Sequence, residues 1–189
     1  GRFHSPAGVH ICASWFTSLP GWEFSSGLGE AVKHALIAGR WDLFERLLIG
    51  FNDSTFLDSE ILSELILIKA KIVEEDPFEQ GRRVLLNFGH TLGHAMETLF
   101  GSSKLAPVFT HGEGVVLGMR FSIFLSEVKK LISRQTAVSL NQKILSRFGS
   151  RPLAVFLTEA SQADSDSLWE ELWTVIKNDK KTTATEPQW

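Results

Sequence analysis

The sequence predicts an all-α fold, a multi-helical domain of about seven helices with one short strand ahead of it. Three observations lead there. Apolar residues recur at helical spacing in one segment after another. Gly39, Gly50 and Gly101 each close such a segment, where a residue free of Cβ strain ends a helix well. The strand pattern is confined to VHICA, residues 9–13, which has little to pair with.

Taken in order, VHICA gives way to a turn-rich stretch, SLPGWEFSSG, and from there helix follows helix. GLGEAVKHALIAG, from Gly27, is the first and WDLFERLLIG the second. SEILSELILIKAKIVEE is the third, with Asp58 placed to cap it. RVLLNFGHTLGHAMETLF reads as one continuous fourth helix, from Arg83 to Phe100. After the loop SSKLAPVF, the fifth opens on Thr110-x-x-Glu113, a capping-box pattern. SRQTAVSLNQKILSRFG and ADSDSLWEELWTVIKN complete the set, with no repeat and no low-complexity tract.

Composition narrows the function classes. The 189 residues are 43% apolar and 22% charged, with a mean hydropathy of +0.02, a globular balance long enough for a real core. A net charge of −3 gives no reason to expect nucleic acid or an anionic membrane as a partner. The single cysteine, Cys12, excludes an intrachain disulfide and a multi-cysteine metal site, and fits a reducing, cytoplasmic setting. No apolar run reaches the ~18 residues of a membrane-spanning helix. The chain starts without Met and stops at KNDKKTTATEPQW, so a piece of a longer protein is expected.

The chemistry is concentrated in NFGHTLGHAMETLF. On one continuous helix, Arg83, Asn87, His90 and His94 would line a single face. A solvent face is the ordinary explanation for a polar stripe, but solvent faces carry mostly Lys and Glu. Arg, Asn and two His are types that make directed contacts. Gly89 and Gly93 each cost roughly 1 kcal/mol of helix stability relative to Ala, which suits close approach of a ligand or of another backbone. His111, at the mouth of the fifth helix, and Glu30, on the first, add to the set. Two imidazoles and a carboxylate, with water in the remaining position, suit a catalytic zinc. Spacing leaves open which two of the three histidines would bind it, and HTLGH lacks the glutamate of the His-Glu-x-x-His pattern.

SSGLGEAVKHALI, IKAKIVEED, GRRVLLNFGHTLGHAMET, THGEGVVLGM and NDKK stand in this order along nearly the whole chain. Together they resemble the C-terminal domain of the 3-dehydroquinate synthase family. The resemblance implies that residues 1–18 are a residual strand segment of a missing N-terminal NAD-binding α/β domain, and that 19–189 form the helical zinc- and substrate-binding domain. The implied zinc ligands are Glu30, His90 and His111, with Co2+ as a substitute metal. Lys33, Lys69, Glu79, Asn87 and His94 would then contact the substrate's hydroxyls and carboxylate. Arg83 would bind its phosphate, helped by Lys180 or Lys181. DPFEQG departs from the family's usual charged stretch, which loosens the placement of Glu79.

The implied reaction converts a small sugar acid phosphate, 3-deoxy-arabino-heptulosonate 7-phosphate, into 3-dehydroquinate and phosphate, a step of the shikimate route, with NAD oxidising and then reducing the substrate. A homodimer is expected of the full-length protein, and no turnover of this chain alone. The alternatives are another sugar-phosphate cyclase, a metal-dependent polyol dehydrogenase, or an inactive helical interaction module. Individual residues also have plainer explanations: Lys33 could be a surface partner of Glu30 at i,i+3, Glu79 an ordinary loop carboxylate, and Lys180 and Lys181 a solvated tail.

Overall fold

The computed structural model describes residues 6–50, 59–100, 109–149 and 165–178, which are all-α. Seven α-helices lie among them: α1 (Gly21–Ile37), α2 (Trp41–Ile49), α3 (Ser59–Glu75), α4 (His90–Phe100), α5 (His111–Val128), α6 (Arg134–Phe148) and α7 (Ser165–Asn178). Two short 3-10 helices, Ala13–Ser18 and Arg82–Asn87, accompany them. None of the described helices is long and apolar enough to cross a membrane. Asp58, Gly101, Lys180 and Lys181 lie outside the described residues.

Three expectations are corrected. VHICA forms no strand: Cys12 has extended angles, φ −128° and ψ 127°, but Ala13 already begins a 3-10 helix. A strand needs a neighbour for its N–H and C=O groups, and no strand exists among the described residues. Helix α1 begins at Gly21, inside the stretch read as turns. Pro20 has φ −55° and its carbonyl accepts from Phe24 N at 3.0 Å. Phe24 and Leu28 bury on the helix's inner face, and that burial outweighs the turn preference of Ser and Gly. The fourth helix is not continuous. A 3-10 helix ends at Asn87, Gly89 sits at φ +80°, and α4 starts only at His90. A residue at that φ interrupts the helix, and glycine adopts it without a Cβ clash.

The chain divides into two compact units, with the boundary at Asn87/Phe88. In the first, α1 packs on α2 and α3, and the 3-10 helix Arg82–Asn87 lies against α1 and α3. Its core joins Val32 and Ala35 to Leu43, Phe44 and Leu47, all with essentially no exposure. Burying each larger member contributes ~1.5–3 kcal/mol. After α3, the Asp76 carboxylate gathers the next turn. Oδ1 accepts from Gln80 N at 2.9 Å, and Oδ2 accepts from Gly81 N at 2.8 Å and Arg83 N at 3.0 Å. These backbone bonds, that from Gln80 first, hold the Asp76 carboxyl below the usual carboxylate range.

In the second unit, α5 packs on α4 and α6, and α4 also packs on α7. Ala95, Met96, Phe109, Leu172 and Ile176 form one buried cluster of its core. Thr110 Oγ1 accepts from Glu113 N at 3.2 Å, and Glu113 Oε2 accepts from Thr110 N at 2.9 Å, so the capping box at the start of α5 forms as its spacing predicts. The α4–α5 contact is made by glycines. A Cβ on Gly93 would lie 2.9 Å from the carbonyl carbon of Gly114, and one on Gly114 would lie 2.9 Å from the Gly93 oxygen. A Cβ on Gly118 would collide with the Gly89 carbonyl.

Two predictions follow from this packing. Gly93→Ala and Gly118→Ala should each destabilise the protein by about 1–3 kcal/mol, because the added methyl meets backbone that cannot swing aside. Gly27→Ala, in α1 with nothing within 4 Å of the new Cβ, should stabilise by up to ~1 kcal/mol. Urea unfolding midpoints check both, and a gain in stability for Gly93→Ala would contradict the close crossing. The Asp76 carboxyl titrates lower when folded than when unfolded, so its stabilising contribution is complete above the ordinary carboxylate pKa. That contribution is lost as pH falls below about 4 through the lower folded value. Amide exchange should show the protection of Gln80, Gly81 and Arg83 failing over that window, and absent at neutral pH in Asp76→Ala.

Candidate functional site

In the first unit, α1 presents Glu30 and, one turn later, Lys33. The side chain of Lys33 is only 2% exposed. Its ammonium donates to Glu30 Oε2 at 2.8 Å and to the Leu86 carbonyl at 2.8 Å. The i,i+3 ion pair is therefore present, but it is buried at the lysine end and tied to the 3-10 helix, unlike a surface pair. His34, also buried, has Nδ1 2.7 Å from the Glu30 carbonyl oxygen, which can only accept, so Nδ1 carries the proton. Burial pushes the His34 pKa below its ordinary value, and the positive charges of Lys33 and Lys69 add to the shift. The Lys69 side chain itself is exposed, on α3.

The turn organised by Asp76 carries the next candidates. Glu79 has φ +58°, and its Oε1 accepts from Asn87 Nδ2 at 2.6 Å. Arg83 donates through Nη1 to the Pro77 carbonyl at 2.8 Å. Glu79, Arg83 and Asn87, expected as separate substrate contacts, thus share one polar corner of the first unit. Arg83 and Asn87 stand on the 3-10 helix and His90 and His94 on α4, so the four do not line a single helical face.

In the second unit the three histidines cluster. Ring centroids are 5.1 Å apart for His90 and His94, 5.3 Å for His90 and His111, and 5.9 Å for His94 and His111. The glycine crossing is the cause: His90 and His94 directly follow Gly89 and Gly93 on α4, and His111 opens α5 three residues before Gly114. His90 Nδ1 lies 3.3 Å from the Phe88 carbonyl oxygen. His111 Nδ1 lies 3.1 Å from Glu97 Oε2. Both acceptors call for a proton on Nδ1, which puts the lone pair of each neutral ring on Nε2, the kind of nitrogen that can ligate a metal. Sequence reasoning does not single out Glu97. It stands seven residues after His90 and three after His94, a spacing that keeps it on their side of α4.

A family model described as 3-dehydroquinate synthase C-terminal matches residues 27–182. The 3-dehydroquinate synthase of Bacillus mycoides is 44% identical over 131 residues, covering 67% of this chain and 35% of that protein. That of Bacillus cytotoxicus is 44% identical over 133 residues, 67% of this chain and 34% of its own length. That of Bacillus cereus is 43% identical over 133 residues, with 67% and 35% covered. The chain thus spans about a third of the length of the curated relatives it matches. With 27–182 matched, and the Glu30, His90 and His111 blocks all inside that range, the chain belongs to the 3-dehydroquinate synthase C-terminal family.

Proposed function

We propose that this chain is the metal- and substrate-binding part of a 3-dehydroquinate synthase, with Glu30, His90 and His111 as the ligands of one zinc ion. The observation that carries the reading is the orientation of two imidazoles. His90 and His111 each turn Nδ1 toward an oxygen acceptor, which leaves Nε2 as the donor atom a metal takes. A carboxylate completes a three-residue set that leaves a position for substrate. His94, adjacent to both rings, is then the substrate-facing member. When bound, zinc would acidify a substrate hydroxyl and NAD would take and return the hydride.

The remaining roles belong to the chain's own side chains. Lys33, with its charge held beside Glu30, favours an alkoxide electrostatically. Asn87 and Glu79 offer a donor and an acceptor to substrate hydroxyls, with Lys69 as a further cation. The planar fork of Arg83 suits the phosphate, and Lys180 or Lys181 would assist it. His94 offers an imidazole, a group that can both take and give a proton, for proton relay at the substrate. The nucleotide would be held by a domain preceding residue 19, with residues 1–18 as its last segment. A homodimer in the cytoplasm, acting on a sugar acid phosphate, completes the proposal. Trp15, Trp22 and Trp41 stand exposed on the first unit, apolar surface that a further domain could cover.

Zinc titration tests the ligand set. Stoichiometry should be near one, abolished by His111→Ala and kept by His94→Ala; loss of metal in His94→Ala instead would reverse the division of the histidines. Phosphate release tests the activity. The full-length protein should turn over with NAD, zinc and substrate, while the 189-residue chain alone should not. In the full-length protein Lys33→Ala should abolish turnover, and Arg83→Ala should lower kcat/KM by about tenfold or more, ~1.4 kcal/mol of lost binding. Equal turnover by the isolated chain would overturn the placement of NAD.

A further inference from the structure

We propose that Glu97 is a positioning residue for His111, its carboxylate fixing the imidazole tautomer and rotation that a metal requires. The proposal rests on the reading of His111 as a metal ligand. Glu97 Oε2 lies 3.1 Å from His111 Nδ1. An ionised carboxylate only accepts, so the proton of the neutral imidazole must sit on Nδ1 and the lone pair on Nε2. The pair bridges α4 and α5 at the end of the glycine crossing, across 14 residues of chain.

His111 needs such a partner more than His90 does. His90 is buried and has a backbone carbonyl, that of Phe88, as its acceptor. His111 is the first residue of its helix and its side chain is 40% exposed, so packing alone restrains it less. The Glu97 side chain is 41% exposed, and a hydrogen bond between two such solvent-exposed groups contributes little to folding. Its effect should therefore appear in metal affinity and not in stability. A carboxylate behind a ligating imidazole also raises its basicity, and removing such a partner typically weakens metal binding by about 10–100-fold.

The test is zinc affinity of the full-length protein, by competition with a chromophoric chelator, for wild type, Glu97→Ala, Glu97→Gln and His111→Ala. Glu97→Ala should bind zinc about 10–100-fold more weakly, with the metal-free melting midpoint unchanged. Glu97→Gln, which keeps an accepting oxygen but no charge, should fall between Glu97→Ala and wild type. Nitrogen-15 NMR of the metal-free proteins should place the His111 proton on Nδ1 in wild type and Glu97→Gln, and divide it between the two nitrogens in Glu97→Ala. Wild-type affinity in Glu97→Ala, with His111→Ala still deficient, overturns the role of Glu97 and leaves the ligand set intact. Wild-type affinity in His111→Ala overturns the ligand set, and this inference with it.

Discussion

The second unit depends on a backbone-to-backbone contact. Gly93 faces Gly114 and Gly89 faces Gly118, and at three of these four positions the nearest obstacle to a Cβ is main chain of the opposing glycine. Each glycine weakens its own helix, by ~1 kcal/mol where it lies in a helical interior. The compensation is geometric. With no side chains between the backbones, the residues that follow Gly89 and Gly93 are brought against the start of α5. They are His90 and His94, and the residue at the start of α5 is His111. Three imidazoles within 5.1 to 5.9 Å of one another are a consequence of that packing. A pair of alanine-lined helices would hold the rings farther apart.

The first unit reaches its polar constellation by a different route, through a chain of satisfied charges. Lys33 is buried and so must be paired. Its bonds to the Glu30 carboxylate and the Leu86 carbonyl tie α1 to the 3-10 helix. Asn87, the next residue, gives its amide to Glu79, and the turn that carries Glu79 is held by Asp76 through three backbone N–H groups. Each link fixes the next, from the core of α1 out to Arg83. The polar residues are held by one another as much as by hydrophobic packing.

The helical class was legible because the periodicity is strong, and the seven α-helices among the described residues correspond one for one to the segments read from the sequence. The Thr110–Glu113 capping box was legible for the same reason: it is a local interaction between residues three apart. What was not legible depends on partners distant in sequence. Nothing near Gly89 announces that its φ is +80°, since glycine serves equally inside a helix and at its break. The stripe of Arg83, Asn87, His90 and His94 was mistaken in its geometry, because a single helix was assumed through that break. Gly21–Ser26 was given to a turn by composition, while burial of Phe24 decides for helix. Glu97 escaped notice because its partner, His111, is brought to it only by the α4–α5 crossing.

The backbone at Glu79 adds one more step. A non-glycine residue at φ +58° costs of order 1–2 kcal/mol, and a glycine in that place would make the same turn without strain. Glycine would, however, supply no carboxylate. The Glu79 side chain accepts from Asn87 at 2.6 Å, and the turn around it is held by Asp76, so the surrounding bonds maintain a conformation the residue itself disfavours. Two requirements meet at one position: a left-handed backbone that lets the chain turn from α3 into the 3-10 helix, and an acceptor facing Asn87. Glu79 meets both. The cost of that backbone is offset by the bonds around it: Asp76 holds the amides of Gln80 and Gly81, and Asn87 holds the carboxylate itself.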